Sequence, residues 1–135
     1  MGVLDRLRRK KKEMTVIIDK KIVTDLERLC GDDKETFEAL IHTMFLDPRK
    51  VKASLKEAVE NAKKFEKAKD ILSARIWFEI AGGLAIYEGN VKKVQEFFSE
   101  AEEVSSDMKY PILKDPEKAV AKAQEYYKQY LKPVP

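Results

Sequence analysis

The chain has 135 residues, of which 44% are hydrophobic and 38% are charged, and its formal net charge is +3. This length suits one domain with a buried core, and no apolar run approaches the roughly 20 residues that a membrane-spanning helix needs. The single cysteine, Cys30, excludes an internal disulfide, and the N-terminus lacks the apolar stretch of a secretory signal, so we expect a cytoplasmic protein.

The first predicted segment is a basic arm, residues 1–12. It carries six basic side chains against one acidic side chain, a net charge of +5, whereas residues 13–135 carry 21 basic and 23 acidic side chains. Clustered cations bind phosphates by releasing condensed counterions, with little sequence preference. The arm therefore predicts binding to RNA or a ribonucleoprotein through Arg6, Arg8, Arg9, Lys10, Lys11 and Lys12. The alternatives are a solvated terminus without a partner and a weak membrane contact.

Residues 13–135 predict a single all-α domain, a bundle of five or six helices, because apolar residues recur at helical spacing. Gly31 is placed to end the first helix, and Asp32 or Asp33 is expected to cap the second. The stretch MTVIID at residues 14–19 has the composition of a strand, but no second strand is present to pair with it.

A third helix is predicted to start at Asp47 and Pro48, because aspartate caps free N–H groups and proline tolerates the first helical position. Its apolar residues follow at alternating steps of four and three, which gives a narrow seam like one edge of a coiled coil. The seam consists of Val51, Leu55, Ala58, Ala62 and Phe65.

The fourth helix, capped by Asp70, is apolar on most sides and is expected to be the most buried. Gly89 can end it in a left-handed conformation, and Asn90 can cap a fifth helix. Residues 105–115 are predicted to be an irregular connection, and Asp115 at its end starts the last helix.

Gly82 and Gly83 lie within the pattern of the fourth helix. A phosphate-binding loop places its glycines between a strand and a helix and follows them with Lys and Ser or Thr. Here Leu84 and Ala85 follow instead. We therefore predict that the glycines let a neighbouring helix lie close, although each costs about 1 kcal/mol of helix propensity relative to alanine.

Residues 75–108 resemble one tetratricopeptide repeat, a helix-turn-helix unit of about 34 residues. The matching positions are Phe78, Ala81, Gly82, Gly89, Asn90, Phe98 and Ala101, whereas Ala85, Val94 and Ser106 depart from the family pattern. No second repeat aligns upstream, so the resemblance implies one tetratricopeptide-like hairpin inside the bundle. It also implies a protein-interaction scaffold and transfers no catalytic residue.

The sequence offers no recognisable catalytic or metal-binding set. His42 is the only histidine and shares a helical face with Glu38, but a zinc site needs about four ligands and nucleophilic catalysis needs a base beside the nucleophile. Cys30 is expected to be a small buried side chain near a helix end. We therefore predict no enzyme activity, no metal and no cofactor.

The surfaces predicted to contact protein, including a second copy in a homodimer, lie on the last helix and on the seam. They comprise Tyr126, Tyr127, Tyr130, Val51 and Leu55. We expect a non-enzymatic binding factor that docks on RNA or a ribonucleoprotein, such as the ribosome, through the basic arm. The alternative is a protein–protein adaptor of tetratricopeptide type without a nucleic-acid role. Abundant Lys and Glu with only five Asn and Gln residues is typical of proteins from thermophiles.

Overall fold

The computed structural model describes residues 20–43 and 51–130, and these ranges contain helices and no strand. The helices are α1 (Lys20–Cys30), α2 (Lys34–Ile41), α3 (Leu55–Lys67), α4 (Ile71–Glu88), α5 (Val91–Val104) and α6 (Pro116–Tyr130), with a short 3-10 helix at Pro111–Lys114. The predicted all-α bundle of five or six helices is confirmed. None of these helices combines the length and the apolar character that crossing a bilayer requires.

Helix α4 is the centre of the bundle. It packs most extensively against α3 and α5, and it also contacts α6. Ala74, Phe78, Ala81, Ala85 and Ile86 of α4 are at most 1% exposed, which confirms that this helix is the deeply buried one. Helix α6 also contacts α1, α2 and the 3-10 helix, so it connects α1 and α2 to the central helices.

Polar side chains begin the helices where the sequence predicts caps. Asp33, Asp70, Asn90 and Asp115 each accept the backbone N–H three positions ahead, at 3.1 to 3.2 Å. Each bond satisfies a donor that has no partner inside its helix. The predicted caps at these four positions are confirmed.

The C-terminal ends of α1 and α4 are formed by glycines in the left-handed conformation, Gly31 at φ 58° and Gly89 at φ 76°, as predicted. Helix α3 ends in the same way at Lys69, which has φ 61° without being a glycine. A left-handed conformation costs an L-residue free energy that glycine avoids, so Lys69 is a strained position.

The third helix begins later than the seam predicts. Residues 51–54 are not helical, and α3 starts at Leu55, where the hydroxyl of Ser54 accepts the N–H of Glu57 at 3.1 Å. The predicted placement of Val51 on this helix is therefore wrong, because a serine cap closer to the apolar run sets the start. The predicted start at Asp47 and Pro48, and the stretch at residues 14–19, lie outside the described residues.

Two further sequence predictions concern α4 and the connection. A Cβ atom added to Gly82 would lie 2.5 Å from a ring carbon of Phe98 on α5, so the predicted close approach of helices is confirmed at this glycine. Gly83 is buried. The connection at residues 105–115 is irregular except for the 3-10 turn, and it buries Tyr110 and Ile112.

Candidate functional site: a tyrosine patch at the ends of two helices

Four tyrosines from α4 and α6 form one aromatic cluster, which we call the tyrosine patch: Tyr87, Tyr126, Tyr127 and Tyr130. The ring centroids of Tyr87 and Tyr127 are 5.0 Å apart at an interplanar angle of 78°. Those of Tyr126 and Tyr130 are 4.9 Å apart, and those of Tyr126 and Tyr127 are 6.0 Å apart. These separations lie in the favourable range for aromatic pairs, so each ring helps to orient the next.

The patch has a buried half and an exposed half. Tyr126 and Tyr127 are 2% and 6% exposed, whereas Tyr87 and Tyr130 are 44% and 39% exposed. The exposed rings therefore rest on rings that belong to the core. Tyrosines held in this way are typical of protein interfaces, because they offer a large contact area at a low entropic cost.

Gln124 holds α6 against the end of α4, directly beside the patch. Its side-chain amide donates to the backbone carbonyls of Ile86 at 2.7 Å and Tyr87 at 2.8 Å. The last carbonyls of a helix lack the usual partner four residues ahead. Gln124 donates to two of them, although the carbonyl of Ile86 also accepts the backbone N–H of Gly89 at 3.0 Å. The same contact places Tyr127, one turn further along α6, against Tyr87.

The residues that were predicted to form a protein interface differ in how far the structure exposes them to solvent. Tyr126 and Tyr127 lie in the core, and only Tyr130 of the three presents much of its ring to solvent. Val51 is partly buried ahead of α3, and Leu55 is partly buried against the core. Sequence reasoning missed Tyr87. The feature of the sequence that could have identified Tyr87 is its position as the last aromatic residue before the turn at Gly89.

The basic arm and all six of its predicted nucleic-acid-binding residues lie outside the described residues. Residues 20–43 and 51–130 carry 18 basic and 20 acidic side chains, so the described body has a small negative charge. The described body therefore has no net positive charge that would attract phosphates.

A cleft of about 330 Å³ lies between the start of α2, the 3-10 helix and the start of α6. Its charged lining residues are balanced in sign: Lys34, Lys114 and Lys118 against Glu35, Glu38 and Asp115. The ammonium of Lys118 lies 2.9 Å from a carboxylate oxygen of Asp33. Hydrogen bonds from Lys118 and Thr36 lower the pKa of Asp33 to about 2. The cleft thus selects neither anions nor cations by its charge.

Neither His42 nor Cys30 joins a reactive cluster in the described part of the chain. His42 contacts Glu38, its predicted neighbour on the helical face, at 3.1 Å, and both side chains are more than half exposed. Cys30 is 6% exposed at the end of α1, and burial raises the pKa of its thiol, which disfavours the reactive thiolate. Within residues 20–43 and 51–130, no group of three or more possible metal ligands comes together.

Sequence reasoning did not find a buried polar network between α4 and the connection. Arg75 and Glu79 lie on α4 with side chains 8% and 12% exposed and an Nε–Oε1 distance of 3.5 Å. The hydroxyl of Tyr110 donates to Glu79 at 2.5 Å, and burial, followed by the contact with Glu79, raises the pKa of Tyr110. Spacing of four residues signals the Arg–Glu pair, but no local pattern shows that Tyr110 reaches it.

Comparison with protein-family models, with curated protein sequences and with solved structures gave no match. The resemblance of residues 75–108 to a tetratricopeptide repeat therefore stays a prediction.

Proposed function

We propose that this chain is a non-enzymatic binding factor that docks on RNA, free or within a ribonucleoprotein such as the ribosome, through its basic arm. The observation that carries the proposal is the separation of charge along the chain. Residues 1–12 have a net charge of +5, whereas the described helical body has 18 basic and 20 acidic side chains. A concentrated positive segment on a slightly negative body directs phosphates to that segment.

The salt dependence of binding gives the proposal a quantitative form. For single strands, the logarithm of the binding constant falls with the logarithm of salt concentration by about 0.7 for each phosphate neutralised. If all six cations of the arm engage phosphates, the slope is about −4. Binding at this site should show little preference for sequence, since phosphate contacts do not read bases.

The test measures fluorescence anisotropy of a labelled single-stranded RNA over a range of salt concentrations. One variant replaces the six cations of the arm with glutamine. A matched control replaces six exposed lysines of the body with glutamine: Lys52, Lys56, Lys63, Lys92, Lys109 and Lys128. We expect the arm variant to lose most of its affinity and its salt slope, and the control to keep both. Equal losses in the two variants, or no RNA binding by the unaltered chain, would contradict the proposal.

A second candidate function, a protein–protein adaptor, is favoured by the tyrosine patch. Tyr87 and Tyr130 are exposed to 44% and 39% while they rest on buried rings, and exposed aromatic residues are enriched at protein interfaces. The helix-turn-helix of α4 and α5 also spans the residues that resemble a tetratricopeptide repeat, although fold analogy alone is a weak reason to assign function. In this proposal the partner is another protein or a second copy of the chain.

A homodimer through the patch would need more surface than two rings provide, because stable interfaces bury about 800 Å² on each partner. Sedimentation velocity over a range of concentrations tests it. Tyr87→Gln together with Tyr130→Gln should weaken self-association, whereas Ile71→Gln should not. Ile71 is a matched control because it is 45% exposed and lies at the opposite end of α4, about 24 Å away along the helix. A monomer at every concentration would exclude the homodimer.

A further inference from the structure

We propose that Arg75, Glu79 and Tyr110 form a polar lock that fixes the position of the connection, residues 105–115, on the central helices at a cost in stability. The lock is a conformational device and is independent of what the chain binds. Its role is to select one docked position of an irregular segment.

The geometry of the ion pair is not that of a strongly stabilising contact. Side-chain exposures of 8% and 12% mean that both charges have left water, which costs free energy that apolar side chains of similar size would not lose. A well-formed arginine–carboxylate hydrogen bond is about 2.7 to 2.9 Å long, whereas Nε of Arg75 and Oε1 of Glu79 are 3.5 Å apart. Within the described part of the chain, that Nε donates no hydrogen bond.

Directional bonds from this pair reach the connection. Glu79 accepts the hydroxyl of Tyr110 at 2.5 Å, and Nη1 of Arg75 lies 3.4 Å from the hydroxyl oxygen of Ser105. That hydroxyl in turn donates to Asp107 at 2.8 Å. Glu79 therefore holds the connection at Tyr110 through a short bond, and Arg75 makes a longer contact with it at Ser105, five residues earlier in sequence.

The backbone N–H of Tyr110 adds a third directional bond, to a carboxylate oxygen of Glu102 on α5 at 2.9 Å. Tyr110 thus bonds to both central helices, through its hydroxyl to α4 and through its backbone to α5. Its ring lies 5.2 Å from that of Phe98, and it is 3% exposed. A shift of the connection would break these bonds together.

Apolar contacts alone would not specify this position. Ile112 is fully buried, and Met108 and Leu113 pack against the core, but apolar attraction has no direction and tolerates sliding. Residues 105–110 contain neither helix nor strand, so no regular backbone pattern sets their register. The polar bonds are the contacts on which a unique position depends.

The test compares global stability with local hydrogen exchange in three variants. Arg75→Met with Glu79→Leu replaces the pair by apolar side chains. Tyr110→Phe removes only the hydroxyl. The matched control, Lys56→Met with Glu60→Leu, makes a similar change at the same spacing on the exposed face of α3.

The readouts are the urea midpoint of unfolding and the exchange of two hydrogen-bonded amides of the connection, those of Met108 and Tyr110. The amide of Ala58 in α3, bonded to Ser54, serves as reference. For the pair variant we expect an unchanged or higher midpoint, with Met108 and Tyr110 exchanging at least about tenfold faster relative to Ala58. Tyr110→Phe should lower the midpoint, since it removes a donor from a buried carboxylate. The control should leave the exchange rates of Met108 and Tyr110, each taken relative to that of Ala58, unchanged.

Two results would overturn the proposal. A fall in the midpoint of the pair variant would show that the ion pair stabilises the fold. Unchanged exchange ratios at Met108 and Tyr110 in that variant would show that apolar contacts suffice to hold the connection.

Discussion

The ring of Phe98 lies directly over the backbone of Gly82, so close that a Cβ atom at residue 82 would lie 2.5, 2.7 and 3.0 Å from three of its ring carbons. Phe98 is fully buried, and on its other side it contacts the ring of Tyr110 at a centroid distance of 5.2 Å. The ring therefore has little room to move away. A residue without a side chain is required where α5 crosses α4.

Gly82→Ala should destabilise the protein, because two effects oppose each other and the clash is the larger. Alanine gains about 1 kcal/mol of helix propensity, whereas overpacking a well-filled core costs about 1 to 3 kcal/mol. We expect a net loss of up to about 2 kcal/mol in urea unfolding. Adding Phe98→Leu, which vacates the ring positions, should make the Ala substitution favourable relative to Phe98→Leu alone. Stabilisation by Gly82→Ala in the unaltered background would show that Phe98 yields easily.

Lys69→Gly should stabilise the protein. Lys69 has φ 61°, and it closes α3 with the bonds Lys69 N–H to Glu66 O at 3.1 Å and Asp70 N–H to Phe65 O at 2.9 Å. A glycine keeps both bonds and removes a left-handed penalty of roughly 1 to 2 kcal/mol, less the entropy that glycine gains in the unfolded chain. We expect a net gain of about 0.5 to 1 kcal/mol by thermal or urea unfolding.

The control for this prediction lies two residues earlier in the chain. Lys67 is exposed within the last turn of α3, where glycine has no strain to relieve. Lys67→Gly should lower stability by up to about 1 kcal/mol. If both glycine substitutions destabilise equally, the conformation at Lys69 carries no strain.

The fold could be predicted largely from local signals. Helical spacing, the four polar caps and the two left-handed glycines each depend on neighbouring residues, and the structure confirms them. The start of α3 could not be predicted as well, because Ser54 competes with an Asp-Pro signal seven residues upstream and both obey the same capping rule. No feature of the sequence indicated the left-handed conformation of Lys69, since any residue can adopt that conformation at a cost in free energy.

The candidate site could be predicted only in part, because burial depends on tertiary packing. Spacing alone could not show that Tyr126 and Tyr127 face the core while Tyr130 remains exposed. Tyr87 joins the patch through Gln124, a contact between residues more than 30 positions apart. The bonds from Tyr110 to Glu79 and from Arg75 to Ser105 span similar distances in sequence. Long-range polar contacts of this kind leave no periodic trace in the sequence.

Acid should weaken the contact between α2 and α6 at Asp33. Its folded pKa of about 2 lies below the ordinary value of 3.8, so the charged form is favoured by folding. The stabilisation is therefore fully present above about pH 4 and is lost as the pH falls towards 2. Asp33→Asn, which keeps an acceptor for the cap, should lower the melting temperature at pH 7, and the difference from the unaltered chain should be small at pH 2 and disappear below it.

Lys118→Gln should show the same pH profile as Asp33→Asn, because it removes the other partner of the 2.9 Å contact. Lys114→Gln is the control: Lys114 is an exposed lysine of the same cleft and forms no ion pair among the described residues. A difference that persists unchanged at pH 2 for Asp33→Asn would mean that the amide disrupts the cap and that the charge is irrelevant.

Glu100 on α5 should respond to pH with the opposite sign. Burial is the main cause that raises the pKa of its carboxyl, and the neighbouring charges of Glu66 and Glu103 raise it further. A carboxyl whose folded pKa exceeds its unfolded value opposes folding when it is ionised. Glu100→Gln should therefore raise the melting temperature at pH 7, and the gain should disappear below about pH 4, where the unfolded chain also holds the proton. Glu88→Gln at the exposed end of α4 is the matched control, and an equal gain there would show that any reduction of negative charge stabilises this chain.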